Sequence, residues 1–305
     1  MTRTRSVRRT TGAVALASTL LAAAACGGGS DPLESGGGDG DTIVIGAQDY
    51  FSSEIIAELY AQALEANDIE VERDFPAGQR ETYLPDIESG AIDLFPEYSG
   101  PLLQYWEPDT EARTSEDVYA ALEEAVPDGL RVLDYAPATD QDAFVVTREF
   151  SEEYGVTSAA DLADVPVDLL LGANSEAETR PNGPRGLADS YGVEVGLTPI
   201  EDGGGPLTVQ ALKDDDVQIA IIYTASPVLA DDDLVVLEDP AELFLASNVV
   251  PLASDRVTDE AAEVIDEISA LLTTEELIAL NVRSVEDQAP AATIAGDWLE
   301  EQGLV

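Results

Sequence analysis

The chain has 305 residues, of which 62 are acidic and 14 basic, giving a formal net charge of −48 with no histidine and one cysteine. A field of that sign repels phosphate backbones and excludes nucleic acid as a partner. Without histidine there is no Ser-His-Asp triad, no imidazole base and no His-ligated zinc, and one cysteine makes neither a disulfide framework nor a thiolate metal site, so no metal and no cofactor is expected.

The first 25 residues carry Arg3, Arg5, Arg8 and Arg9, then an uncharged run from Gly12 to Ala25 that ends in small residues. This reads as a signal peptide, because the run is shorter than the about 20 apolar residues that span a bilayer. Cys26 follows directly, and the pattern resembles a bacterial lipobox, with Cys26 lipidated as the mature N-terminus. Residues 27–41 read GGGSDPLESGGGDGD. Such a stretch buries no core and reaches about 20 Å as a flexible coil, so residues 26–41 are expected to tether a domain to lipid on the outer face of the cell membrane. The acids beyond it are spread along the whole length. They read as a solvated shell suited to high salt, whose field favours cationic or zwitterionic solutes over anions.

From residue 42 onward, short β-branched runs alternate with helical periods. Thr42–Ile45 predicts a strand, and Ile55, Ile56, Leu59, Tyr60, Ala63 and Leu64 predict a helix capped by Ser52 or Ser53. A strand at Val71–Phe75, a helix over 80–89 stopped by Gly90, and a buried strand at Ile92–Phe95 follow. Next come a helix through Val118 and Leu122 and strands at 131–133 and 143–147. Further strands are expected at 167–171, 217–223 and 234–237, with helices near Leu187 and Val209 and a helical C-terminal part. The alternation predicts an α/β protein, better divided into two lobes than built as one large domain.

Ligands of α/β sheets sit beyond the carboxyl ends of strands. That directs attention to Gly46-Ala47-Gln48-Asp49-Tyr50-Phe51-Ser52, to Phe95-Pro96-Glu97-Tyr98-Ser99-Gly100 and to Tyr223-Thr224-Ala225-Ser226. The first two of these segments, with Gly78-Gln79-Arg80-Glu81, Arg180-Pro181-Asn182-Gly183, Gly204-Gly205-Pro206-Leu207-Thr208 and Leu237-Glu238-Asp239-Pro240, resemble the glycine betaine/choline-binding proteins of osmoprotectant ABC importers. The stretch Gly90-Ala91-Ile92-Asp93-Leu94-Phe95-Pro96-Glu97-Tyr98-Ser99-Gly100 is the most specific part of the likeness.

The resemblance implies a type II two-lobe periplasmic-binding-protein fold, each lobe a mixed sheet flanked by helices, with the ligand cleft between them. Lobe I would comprise 42–139 plus 249–305, and lobe II 140–248. It also implies a monomeric, non-enzymatic solute-binding protein that works with a separate ABC permease and ATPase. A quaternary ammonium group makes no strong hydrogen bond and is held by aromatic faces, each contributing about 0.5–2 kcal/mol. Tyr98 and Tyr223 fall on two positions of the family's tyrosine cage. The other two positions hold Asp142 and a residue at Ser247 or Asn248. Arg180 falls on the family's arginine for a solute carboxylate; Gln48 replaces its lysine and Pro101 a hydroxyl residue. Tyr50 and Phe51 complete the first loop ahead of a helix N-terminus. Two rival readings stand beside this one: a binding protein for an amino acid or polyol, and a His-free enzyme using carboxylates such as Glu97 or Asp142, or Lys213.

Overall fold

A computed structural model describes residues 42–305; the expected signal peptide, Cys26 and the tether lie outside the described residues. The first sheet contains β1 (Ile43–Gly46), β2 (Val71–Asp74), β3 (Leu94–Tyr98), β4 (Leu130–Val132) and β10 (Val249–Ser254), in the order β2-β1-β3-β10-β4. The second contains β5 (Asp142–Thr147), β6 (Leu169–Ala173), β7 (Val195–Pro199), β8 (Ile219–Tyr223) and β9 (Leu234–Val236), in the order β7-β6-β8-β5-β9. Both sheets are mixed: β1 runs parallel to β2 and β3 while β10 is antiparallel, and β6 runs parallel to β7 and β8 while β5 is antiparallel.

Helices flank each sheet. Around the first lie α1 (Phe51–Ala66), α2 (Arg80–Glu88), α3 (Ser99–Trp106), α4 (Ser115–Ala125), α8 (Asp259–Leu271), α9 (Thr274–Val285) and α10 (Ala291–Gln302); α5 (Arg148–Tyr154), α6 (Pro184–Tyr191) and α7 (Pro206–Lys213) belong to the second. The apolar stripe of α1 packs against α8, α9 and α10, which explains why Ile55, Ile56, Leu59 and Leu64 are wholly buried. Thr258 and Thr273 cap α8 and α9, and each helix opens with two acids whose charge suits its N-terminal dipole.

The chain crosses between sheets twice, and the crossings lie side by side. Thr139 and Asn248 form an antiparallel bridge. The Asp140 N–H donates to the Ser247 carbonyl at 3.0 Å, and the Ser247 hydroxyl donates back to the Asp140 carbonyl at 2.8 Å.

Several elements differ from expectation. The loop expected after Leu94 is strand as far as Tyr98, and α3 begins at the next residue. Pro96 is tolerated in this buried strand because it faces Pro251 of β10. The Pro251 carbonyl accepts from Leu133 on the opposite flank, so that pairing asks no N–H of either proline. Strands β7 and β10 and helices α3 and α5 were not among the expected elements. Neither Ser52 nor Ser53 caps α1: Tyr50 is the N-cap residue, and the Ser53 hydroxyl accepts from the Gln48 N–H instead.

Nine of the ten cationic side chains in 42–305 pair with carboxylates, at Arg73, Arg80, Arg113, Arg131, Arg180, Arg185, Lys213, Arg256 and Arg283. Most acids therefore have no cationic partner and repel one another through a poorly screened field. Since the Debye length falls from about 10 Å at 0.1 M to about 3 Å at 1 M, raising KCl over that range is expected to lift the thermal midpoint by about 5 °C or more. Calorimetric scans of the folded domain check this, and an unchanged or lower midpoint would show that the shell does not strain the fold.

Candidate functional site

The carboxyl ends of β1, β3 and β8 and the crossing at Asp140 converge on a cavity of about 30 Å³ between the lobes. Lobe I supplies Gln48, Tyr50, Gln79, Arg80, Tyr98 and Pro101; Asp142, Arg180 and Tyr223 come from lobe II; Asp140 and Ser247 come from the crossings. Six of the eight sequence-predicted ligand residues thus meet here: Gln48, Tyr50, Tyr98, Asp142, Arg180 and Tyr223. Two do not line it. Phe51 tilts against the Tyr50 ring with centroids 4.4 Å apart. Asn248 turns away at the crossing, its side-chain amide donating to the Ala136 carbonyl at 2.9 Å and its backbone N–H to the Ser99 hydroxyl at 3.0 Å. Of the two residues weighed for that position, Ser247 is the one at the cavity.

Sequence reasoning missed Asp140. Its carboxylate accepts from the Tyr50 hydroxyl at 3.0 Å and from the Ala225 N–H at 2.7 Å, one bond from each lobe. Burial is the main cause that raises its pKa to about 7, with the charge of Asp142 adding and those two hydrogen bonds opposing. Asp142 is also raised by burial, against the pull of Arg180, Arg80 and the Asn182 amide, which donates to it at 2.8 Å. Burial likewise holds Tyr50, Tyr98 and Tyr223 neutral by pushing each phenol upward. The Tyr50 and Tyr223 rings meet edge to face across the lobes at 4.8 Å. The Tyr98 hydroxyl is buried with no partner.

Two arginines complete the wall, and both are engaged. Arg80 grips Glu97 with two bonds of 2.8 Å. Glu97 also accepts from the Tyr83 hydroxyl and from the Tyr98 N–H at 2.8 Å, and Gln48 donates to Tyr83 at 3.0 Å. This buried network fixes the end of β3 and with it the Tyr98 ring. Arg180 reaches across the cleft to Glu81 with bonds of 3.1 and 2.9 Å.

The loop that carries Arg180 is tight because two positions tolerate only glycine. A Cβ on Gly183 would lie 1.7 Å from the Ala177 carbonyl oxygen, and one on Gly186 would lie 1.9 Å from that of Pro181. A larger cleft of about 560 Å³ shares Arg80, Pro101, Asp142 and Arg180 with the cavity. Since one water occupies about 10–15 Å³ on this measure, the inner cavity has room for very few, and it adjoins the larger cleft.

Among the described residues no group of three or more acidic or cysteine side chains is placed to hold a metal ion, and no helix is long and apolar enough to cross a membrane.

Residues 41–301 match the family described as the substrate-binding domain of an ABC-type glycine betaine transport system. The carnitine transport binding protein OpuCC of Listeria monocytogenes is 22% identical over 298 residues, spanning 94% of this chain and 96% of its own. The glycine betaine-binding protein YehZ of Escherichia coli (strain K12) is 22% identical over 264 residues, spanning 82% and 87%. A crystal structure of a glycine betaine/carnitine/choline ABC transporter superposes with a TM-score of 0.67 at 21% identity, covering 86% of this chain and 99% of that one. At that identity the structural likeness is one of fold.

Proposed function

We propose, given that this chain belongs to the family of substrate-binding domains of ABC-type glycine betaine transport systems, that it captures a small quaternary amine of the glycine betaine or choline kind in the cleft and delivers it to a permease. The observation that carries this reading is the set of three tyrosine rings, from both lobes, gathered around the Asp140 carboxylate with no cationic side chain bonded to it. Aromatic faces and a buried counter-charge are what a methylated ammonium needs.

Closure follows from the same geometry. The lobes must part to admit a solute, and a cation that draws Tyr50 and Tyr98 from one side and Tyr223 from the other favours the shut arrangement. Binding alone accounts for the residues gathered here, so the chain is read as non-enzymatic. In this reading Cys26 bears the lipid, the domain works outside the cell membrane as a monomer, and the permease and ATPase are separate chains. A second solute class is favoured by one observation: Asp142 and Ser247 line the cavity where further aromatic faces would suit a quaternary group. A solute with N–H or O–H donors would use them.

Isothermal titration with glycine betaine, choline, proline betaine, carnitine, ectoine, amino acids and polyols separates these readings. Binding of at least one quaternary compound is expected, and silence with all of them sinks the proposal. Tyr98→Phe keeps the ring and deletes only an unpartnered hydroxyl. It is expected to bind a quaternary amine within about threefold of wild type, while Tyr98→Ala loses about 2 kcal/mol, close to thirtyfold. Equal affinities for the two variants would remove Tyr98 from the cage.

A further inference from the structure

Charge around the cavity does not balance, and the imbalance has a definite sign. Arg80 and Arg180 are the cationic side chains of its wall, and each is held at two nitrogens by a carboxylate of the protein, Glu97 and Glu81 respectively. Asp140 and Asp142 face the same space with no ion pair to any described residue. Two arginines against four carboxyl groups leave two acids without a cationic partner for a solute to meet.

The two ion pairs differ in kind. Arg80–Glu97 lies within lobe I, and breaking it would leave the fully buried Glu97 carboxylate without its cation. Arg180–Glu81 spans the lobes, joins partly exposed side chains and opens on the larger cleft. Glu81 thus takes the guanidinium face that a solute carboxylate would otherwise bind in the bidentate manner. Burial alone would raise the Glu81 carboxyl, yet the hydrogen bond and charge of Arg180 outweigh it and hold Glu81 ionised.

We propose that Glu81 is a specificity-determining residue: it fills the anion position of the cleft from within the protein, so that the site selects solutes with a net positive charge and discriminates against zwitterions. The assignment rests on the amine-binding reading above and goes beyond it by choosing between its solutes. A zwitterion must either displace Glu81, leaving a carboxylate unpaired near its own, or bring its anion toward Asp142. A cation without a carboxylate faces neither penalty and leaves the bridge between lobes in place.

Titration of wild type, Glu81→Gln and Glu81→Ala with choline and with glycine betaine tests this directly. Both variants change a partly exposed side chain on the first turn of α2, and a thermal melt verifies that they are folded. Wild type is expected to bind choline at least about tenfold tighter than glycine betaine. Each variant is expected to shift that ratio toward betaine by about tenfold, mainly through tighter betaine binding. A wild type that prefers betaine, or a ratio unmoved within about twofold in both variants, overturns the role of Glu81 and leaves the amine-binding reading standing. If wild type and variants bind no quaternary compound, the amine-binding reading fails and this assignment falls with it.

Discussion

Replacement of Arg80 by alanine is expected to destabilise the folded domain by about 3–5 kcal/mol, the loss typical when one partner of a buried ion pair is removed. Glu97 has no exposed surface and Arg80 almost none, so the pair is held out of bulk water. The carboxylate left behind keeps only the Tyr83 hydroxyl and the Tyr98 N–H. It then sits without its cation in a poorly solvating interior, which costs stability. Urea denaturation at pH 7.5 measures the loss. The double variant Arg80→Met with Glu97→Leu, which removes both charges while keeping bulk, is expected to lose less than Arg80→Ala alone. A loss under about 1 kcal/mol for Arg80→Ala would show that the pair is not held dry. Because Glu97 also anchors Tyr98, solute affinity should fall further than stability alone explains at temperatures where the variant is folded.

Asp140→Asn is expected to move stability and binding in opposite directions. The folded protein raises Asp140 from an ordinary 3.8 to about 7, so it binds this proton more tightly than the unfolded chain does. The stabilisation from that proton is therefore full below pH 3.8 and is lost as pH rises through about 7. At pH 8 the buried carboxylate weighs on the fold, and asparagine, which can still meet Ala225 and Tyr50, should make the domain more stable there by about 2–4 kcal/mol. Binding a cation requires the ionised form and releases the proton, so wild-type affinity for choline should rise from pH 6 to pH 8 and level off above. Asp140→Asn should flatten this dependence and weaken choline about 10- to 100-fold at pH 8. Calorimetric titrations at pH 6, 7 and 8 in two buffers of different ionisation enthalpy check both the slope and the released proton. A variant that binds choline as tightly as wild type would place the cation elsewhere in the cleft.

Much of this was legible in the sequence. The long helices α1, α8 and α9 declare themselves through apolar residues at 3.6-residue spacing, β1 and β8 through β-branched runs, and β6 through a short run of leucines. Strand β10 did not, because it contains Pro251 and is buried on both faces, so it shows no alternation. Helix α3 starts with Ser-Gly-Pro, which reads as a turn. At the site, the segments with Tyr98, Tyr223 and Arg180 stood out by their residue types. Asp140 did not stand out in a chain with 62 acids, although its position two residues from Asp142 held a clue, since alternate residues of extended chain share a face. The pairing of Arg180 with Glu81 joins residues 99 positions apart on different lobes, and no local pattern records such a contact.

The doubled crossing at Thr139–Asp140 and Ser247–Asn248 makes the pivot of the two lobes a short ribbon of paired backbone, and Asp140 belongs to that ribbon as well as to the cavity. Under the proposed reading, pivot and sensor would be one residue. A charge arriving there acts at the fulcrum of two long arms, where a small twist of the ribbon sweeps the distant lobe rims through a far larger arc. Under the proposed reading, a permease that grips those rims would read the state of a single carboxylate through leverage.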